Sequence, residues 1–338
     1  MLNQSVKIAL AQVSACYLDT TATLEKMADH VAEASRHGAD LILFPETWIS
    51  AFPAWCALSP CVKTHELFRA LVRSSLTINS DQIKGIGEMA REHGVWVSVG
   101  FNERALASVG GMWNSNLVFD RAGNLVNHRR KLVPTFFEKL VWSNGDGAGL
   151  EVIEGDIGNI GMLICGENTN PLARFALMAG GEQLHLSTYP PIWPTHEPEA
   201  QTNYDLAQAI RIRSAAVSFE GKCFNAVASG IVDGSMKKAL STVVPEAADL
   251  LDQYPQAPSM LVNPRGQVVS ETTPGEEVLH YVDAALEECI EPKQFHDLSV
   301  GYNRFDVFQF AIDRRRLMPM EIIEPTTQRE GAHHVDKS

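Results

Sequence analysis

The sequence predicts an α/β protein in four layers, helix, sheet, sheet and helix, with mixed strands inside and helices outside. Three observations carry this expectation. Short apolar runs alternate with amphipathic stretches along most of the chain, the first elements fall in β-α-β-α-β order, and a hairpin signal adds an antiparallel pair.

Residues 7–12 form the first predicted strand. Leu24, Met27, Val31 and Ala34 then recur at helical spacing, and Gly38 closes that helix. Leu41, Ile42, Leu43 and Phe44 make the next strand, ended by Pro45. A second helix over 81–93 places Ile83, Ile86, Met89 and Ala90 on one face and stops at Gly94, after which 95–101 returns to strand. Residues 116–119 and 125–128 flank Asp120-Arg121-Ala122-Gly123-Asn124 as a hairpin. Residues 160–164 form a buried strand, and Asn168 or Thr169, with Pro171 close behind, caps a helix over 171–179. A strand near 184–187, a helix over 199–219 ended by Gly221, and strands at 223–228, 259–263 and 267–270 follow. Strand and helix readings compete over 233–258, and no internal repeat is visible.

Composition narrows the class. The chain has 338 residues, 45% of them hydrophobic, and 28 Lys plus Arg against 41 Asp plus Glu, a net charge of −13. That is ample apolar material for one domain, placed at 1–324 because no linker or composition break divides it. The acidic balance argues against a nucleic-acid surface; Arg129-Arg130-Lys131 and Arg314-Arg315-Arg316 are local features. No stretch suits a membrane span or a signal peptide, so the expected compartment is the cytoplasm. Six scattered cysteines without a C-x-x-C pair fit a reducing environment and give neither a disulfide framework nor a zinc site. His333-His334 lie in a polar stretch, 325–338, expected to be disordered.

Chemistry concentrates at strand ends. Cys165 ends an apolar run just before a predicted helix start, where free backbone N–H groups and the helix dipole would favour thiolate and could hold a developing anion. Its other reading is a small buried hydrophobe. Glu46 directly follows an apolar strand and is either a general base or an ordinary strand-end acid. Lys131 is either a charge stabiliser or part of a solvated basic patch. Glu138, among aromatics, would have a raised pKa if buried. Trp48, Phe52, Trp55, Phe137, Trp142, Tyr189 and Trp193 follow these elements or sit at strand ends, so some are expected to line a pocket and the rest to pack. Pro190-Pro191-Ile192-Trp193-Pro194 is stiff and extended, suited to shaping a substrate site.

In combination the motifs are sharper. Phe44-Pro45-Glu46, then about 85 residues later R-K-L-x-P-T-x-x-E from Arg130 to Glu138, then about 27 residues on C-G-E-N-x-x-P-L-A-R from Cys165 to Arg174, resemble the nitrilase superfamily of carbon–nitrogen hydrolases in identity, order and spacing. The resemblance covers residues 6–224. It implies the family's four-layer αββα sandwich, a triad of Cys165, Lys131 and Glu46, and a second, structurally placed glutamate at Glu138. It calls for no metal or organic cofactor. Cys165, Glu167, Asn168, Pro171, Leu172 and Arg174, with the W-x-x-G-D-G of Trp142 to Gly147, look like the nitrilase branch, which implies a small-molecule nitrile and water as substrates. The backbone N–H of Gly166 would assist Lys131, and Phe52, Trp142, Tyr189 and Trp193 would contact the nitrile. The alternatives are an amidase or a cyanide-hydrolysing member and, in another class, an inactive binding or scaffold homologue.

The family's G-H-Y-x-R-P-D-V survives only as Val300-Gly301-Tyr302-Asn303-Arg304-Phe305-Asp306-Val307, and its Gly-Gly-Ser strand reads Pro258-Ser259-Met260. The apolar load of residues 292–320 is expected at a subunit contact, in a homodimer or a larger, possibly spiral, homo-oligomer.

Overall fold

Two six-stranded sheets stack between helices in the structure, a computed structural model that describes residues 5–320. The first half of the chain runs β1 (Ser5–Gln12), α1 (Thr20–Arg36), β2 (Leu41–Leu43), α2 (Trp55–Leu58), α3 (His65–Ser74), α4 (Asp81–His93), β3 (Trp96–Arg104), β4 (Met112–Phe119) and β5 (Leu125–Arg130). The second runs β6 (Ile153–Gly155), β7 (Gly158–Ile164), α5 (Pro171–Ala179), β8 (Leu184–Tyr189), α6 (Leu206–Gly221), β9 (Phe224–Ser229), α7 (Gly234–Ser241), α8 (Ala247–Gln253), β10 (Met260–Val262) and β11 (Val268–Glu271). β12 (Val278–Ala285) then returns to the first sheet, and α9 (Ile290–Phe295) follows it.

The sheet orders are β12-β1-β2-β3-β4-β5 and β11-β10-β9-β8-β7-β6. Each has three parallel strands, one antiparallel strand on one side and two on the other. Topology therefore repeats although the sequence shows no repeat: pairing direction depends on backbone register, which unlike side chains can satisfy.

Strand alternation builds the layers. Ile8 and Leu10 of β1 face the core between the sheets, whereas Ala9 and Ala11 face α1 and α4, where Met27, Val31, Ile83 and Ile86 cover them. In β7, Met162 and Ile164 point inward and Leu163 points out against Ala173 and Leu177 of α5.

Most predicted elements are present, and the differences have local causes. The long helix starts at Leu206, not near 199, because Asp205 caps it by accepting from the N–H of Gln208. α5 is capped by Asn170, which accepts from Leu172 N at 3.0 Å, not by Asn168 or Thr169. Residues 233–258 hold the two short helices α7 and α8. β12 was not anticipated. Its alternation is masked by polar residues such as His280 and Asp283, and only pairing with β1 over Ser5–Gln12 makes it a strand.

Beyond α9 the chain runs over α5. Ser299 Oγ donates to the Met178 carbonyl at 2.8 Å, Phe310 meets Phe175 edge-on, and Arg316 donates to Asp146 Oδ1 at 3.1 Å and to the His128 carbonyl at 2.8 Å. Tyr302, Phe305 and Phe308 stay exposed beside a groove of about 880 Å³ that includes Leu172 and Phe175. The expectations for 325–338, including His333-His334, lie outside the described residues. No helix among the described residues is long and apolar enough to cross a membrane.

Candidate active site

Glu46 follows β2 in a turn that bends sharply, with Thr47 at φ 44°. The turn lies so close to β3 that a Cβ on Gly100 would stand 2.4 Å from Thr47 N and 2.5 Å from the Pro45 carbonyl oxygen, so only glycine fits there. Glu46 is fully buried. Its Oε1 accepts from Asn114 Nδ2 at 2.7 Å and from Lys131 Nζ at 2.8 Å, while Oε2 has no partner among the described residues.

Lys131 leaves the end of β5 and is also fully buried. Its ammonium donates to Glu46 and to both oxygens of Glu138, at 2.8 and 2.7 Å. Glu138 is held in turn by a capping box, accepting from Thr135 N at 2.6 Å. The solvated basic patch is thereby excluded. Arg129 is wholly buried against Glu167, and Arg130 donates to Glu103 and stacks 3.6 Å over the Trp113 ring. The W-x-x-G-D-G stretch supports the same corner: Gly145 N donates to the Lys131 carbonyl at 2.9 Å, and a Cβ on Gly145 would meet that oxygen at 2.5 Å.

Cys165 begins a single 3-10 turn, Cys165–Thr169, that joins β7 to α5. Its φ of 50° puts a non-glycine residue in the left-handed region, strain of the kind that persists at sites the surrounding structure over-determines. Glu167 bolts the turn across to the Lys131 strand, accepting from Arg129 Nη2, Leu132 N and Ile164 N at 2.7, 2.7 and 2.9 Å. Asn168 supports it from below. Its Nδ2 donates to the carbonyls of Cys165 and Leu163, so its Oδ1 must accept from Ser187 Oγ and from a protonated Nε2 of His185, whose Nδ1 faces Glu182 at 2.8 Å. Arg174 ties the turn to α6, donating to the Asn168 carbonyl and to Glu220.

The thiol of Cys165 and carboxylate oxygens of Glu46 and Glu138 lie within 4.8 Å of one another. Such a trio could ligate a metal on geometry alone, but the Lys131 ammonium bonded to both carboxylates is the cation of this cluster. Burial pushes the thiol well above its ordinary range and the two carboxylates push it further, against Lys131 and Arg213. That balance favours the thiol, against the pull towards thiolate expected at a helix start; the dipole of α5 begins five residues later, at Asn170. Burial opposes charge on Lys131, yet Glu138 and Glu46 hold it protonated well above the usual lysine range. Burial raises the Glu138 carboxyl to about 7, because one ammonium neutralises only one of two adjacent carboxylates.

Phe52, Phe137, Trp142 and Trp193 form one cluster beside this corner, with Phe137 and Trp193 stacked at 4.5 Å and Phe52 5.8 Å from Trp142. Tyr189, at the end of β8, is fully buried near Cys165. Gly166 abuts Thr135, so the cysteine turn touches the Lys131–Glu138 loop. Trp48 is held by packing, its indole donating to the Val13 carbonyl and lying on Phe44 in the core under α1, although it also borders a small pocket with Glu46. Trp55 is a core residue. Sequence reasoning missed Asn114, which pins both the Glu46 carboxylate and, through its carbonyl, Lys131 N at 2.8 Å. The polar run Asn114-Ser115-Asn116 inside an otherwise apolar strand was the available signal.

A buried cysteine beside a lysine shared by two glutamates decides what this chain is compared with. The residue profile of the carbon–nitrogen hydrolase family matches residues 7–294. The chain belongs to that family. Among curated relatives of this hydrolase, "Nitrilase 3" from an unknown prokaryotic organism is 39% identical over 189 residues, which is 55% of this chain and 56% of that protein. A nitrilase from Paraburkholderia phymatum is 29% identical over 97% of this chain and 92% of its own, and a cyanide hydratase from Stereum hirsutum 30% identical over 92% and 84%. The fold is shared with Saccharomyces cerevisiae Nit3, of branch 10 of the nitrilase superfamily (TM-score 0.67, 18% identity, covering 88% of this chain and 97% of that one). The four-layer αββα sandwich and the Glu-Lys-Cys arrangement therefore stand as members of the nitrilase superfamily have them.

Proposed function

We propose that this hydrolase converts an organic nitrile and two waters into the carboxylic acid and ammonia. The observation that carries the reading is the Lys131 ammonium shared by Glu46 and Glu138 with the Cys165 thiol in the same cluster. Glu46, whose Oε2 is free to accept, takes the thiol proton as sulfur adds to the nitrile carbon. One C≡N electron pair moves to nitrogen, which receives that proton, and a thioimidate forms. Water adds to the thioimidate carbon, the C–N bond breaks, and ammonia leaves a thioester. A second water, activated by Glu46, releases the acid and the thiol. Lys131 and the Gly166 N–H stabilise charge on nitrogen and then oxygen. Glu138 holds the ammonium in place, and Phe52, Trp142, Tyr189 and Trp193 contact the substrate. A nitrilase and a cyanide hydratase among relatives matched over most of the chain favour the C≡N bond. Ammonia release from a nitrile panel that includes cyanide, run beside the matching amides, tests this. Turnover of amides alone overturns it, and silence on both panels favours a scaffold.

The coupled carboxylates set the pH dependence. Protonation of a unit containing a carboxyl raised to about 7 removes the base, so kcat/KM should fall on the acid side with an apparent pKa near that value. A flat profile between about pH 5 and 8 would contradict it.

We further read residues 1–324 as one domain, and six unpaired cysteines support residence in the cytoplasm. Exposure of Tyr302, Phe305 and Phe308 on a single chain supports burial of the 292–320 segment between subunits. Truncation before Asp297 should then dissociate or inactivate the enzyme; a fully active monomer by light scattering would reject the assembly.

A further inference from the structure

α6 packs on the cysteine turn and on β8, and it brings a cation to the nucleophile's side. Arg213 Nε donates to Thr169 Oγ1 at 2.7 Å, the last residue of the turn that Cys165 begins, and its Nη2 donates to the Tyr204 hydroxyl. No carboxylate pairs with Arg213 among the described residues, and its Nη1 makes no hydrogen bond there. Arg121 and Arg174 elsewhere in this chain have acidic partners, Asp40 and Glu220.

A second observation lies beside it. Tyr189 is fully buried with its hydroxyl beside the buried Ser214 Oγ, and neither hydroxyl has any other hydrogen-bond partner among the described residues. β8 pairs with β7 so that Thr188 stands opposite Ile164; Tyr189 follows the first, and Cys165 follows the second as the start of the 3-10 turn. Two buried hydroxyls with only each other leave donor and acceptor capacity unused, which calls for an explanation. Arg213's charge also acts on both the Tyr189 hydroxyl and the Cys165 thiol, which places all three in one electrostatic neighbourhood.

Three donors, one of them cationic and without a carboxylate partner among the described residues, thus lie on α6 and β8 where these pack at the cysteine turn. We propose that Arg213, Tyr189 and Ser214 form a carboxylate-binding subsite next to Cys165, and that the substrate is a short cyano acid, a nitrile carrying a carboxylate a few carbons from the C≡N carbon. The guanidinium offers Nη1, and the hydroxyls supply neutral donors to the same anion. The short spacer follows from the placement of Tyr189 and Cys165 directly after the paired residues Thr188 and Ile164. The proposal rests on the nitrile reading above.

The test compares 3-cyanopropanoate with 4-oxopentanenitrile, in which a methyl group replaces the carboxylate's second oxygen. The wild type should favour the acid at least about tenfold in kcat/KM. Arg213→Met should bring that ratio down to about one, chiefly through KM for the acid, Arg213→Lys should restore part of it, and Tyr189→Phe should lower it severalfold. Binding of 3-cyanopropanoate to Cys165→Ala by calorimetry gives a readout independent of turnover and should be lost with Arg213→Met added. Equal use of both nitriles by the wild type, or an equal fall for both in Arg213→Met, overturns the subsite and leaves nitrile hydrolysis standing. Ammonia from neither nitrile nor amide would instead remove the reading on which it rests.

Discussion

Cys165→Ala should yield a folded protein whose ammonia release is at least about 10⁴-fold below wild type. No other thiol can replace it, because among the described residues only Cys165 lies with Glu46 and Glu138 in one cluster. The fold should tolerate the change within about 1 kcal/mol, since a methyl group occupies the same left-handed position and the turn is held by Glu167, Asn168 and Arg174, not by the sulfur. Thermal unfolding and near-UV circular dichroism check the fold; activity near the wild-type rate would remove Cys165 from the mechanism.

Lys131→Met should cost both activity and stability. Two wholly buried glutamates would face each other without a cation, and removing one member of a buried ionic cluster costs about 3–5 kcal/mol. The sign with pH follows from Glu138, already raised to about 7 with the ammonium present and higher without it. An acid whose folded pKa lies above its unfolded value stabilises the fold only while protonated, so that contribution is present below the unfolded pKa and is lost as pH rises through the folded one. Chemical denaturation should thus show a small deficit for the variant near pH 4.5, growing towards pH 8, with turnover reduced at least about a thousandfold throughout. A uniform deficit across that range would mean that Lys131 acts through packing alone.

Much of this site was legible because its chemistry is local. Phe44-Pro45-Glu46, Arg130 to Glu138 and Cys165 to Arg174 each put a reactive group directly after an apolar strand, and the capping box of Thr135 and Glu138 can be read in four residues. The supporting contacts were not legible, because each joins residues far apart in the chain: Asn114 to Glu46, Arg129 to Glu167, and Gly100 to the Pro45–Thr47 turn. Trp48 shows the same limit. It adjoins Glu46 in sequence, but the left-handed residue Thr47 between them turns its ring under α1.

What the sequence determined by itself was the layered α/β class and most strands and helices, since periodicity and turn chemistry are properties of neighbouring residues; Glu46, Lys131, Glu138 and Cys165, each with an ordinary reading when taken alone, were singled out together only by the resemblance to the nitrilase superfamily. Only the tertiary structure decided the charge state of the cluster. Placed at a helix start, Cys165 would be a thiolate; enclosed between two carboxylates and one ammonium, it is a thiol that needs its base. Burial and the count of opposing charges set that balance, and both exist only once three distant strand ends have been brought together.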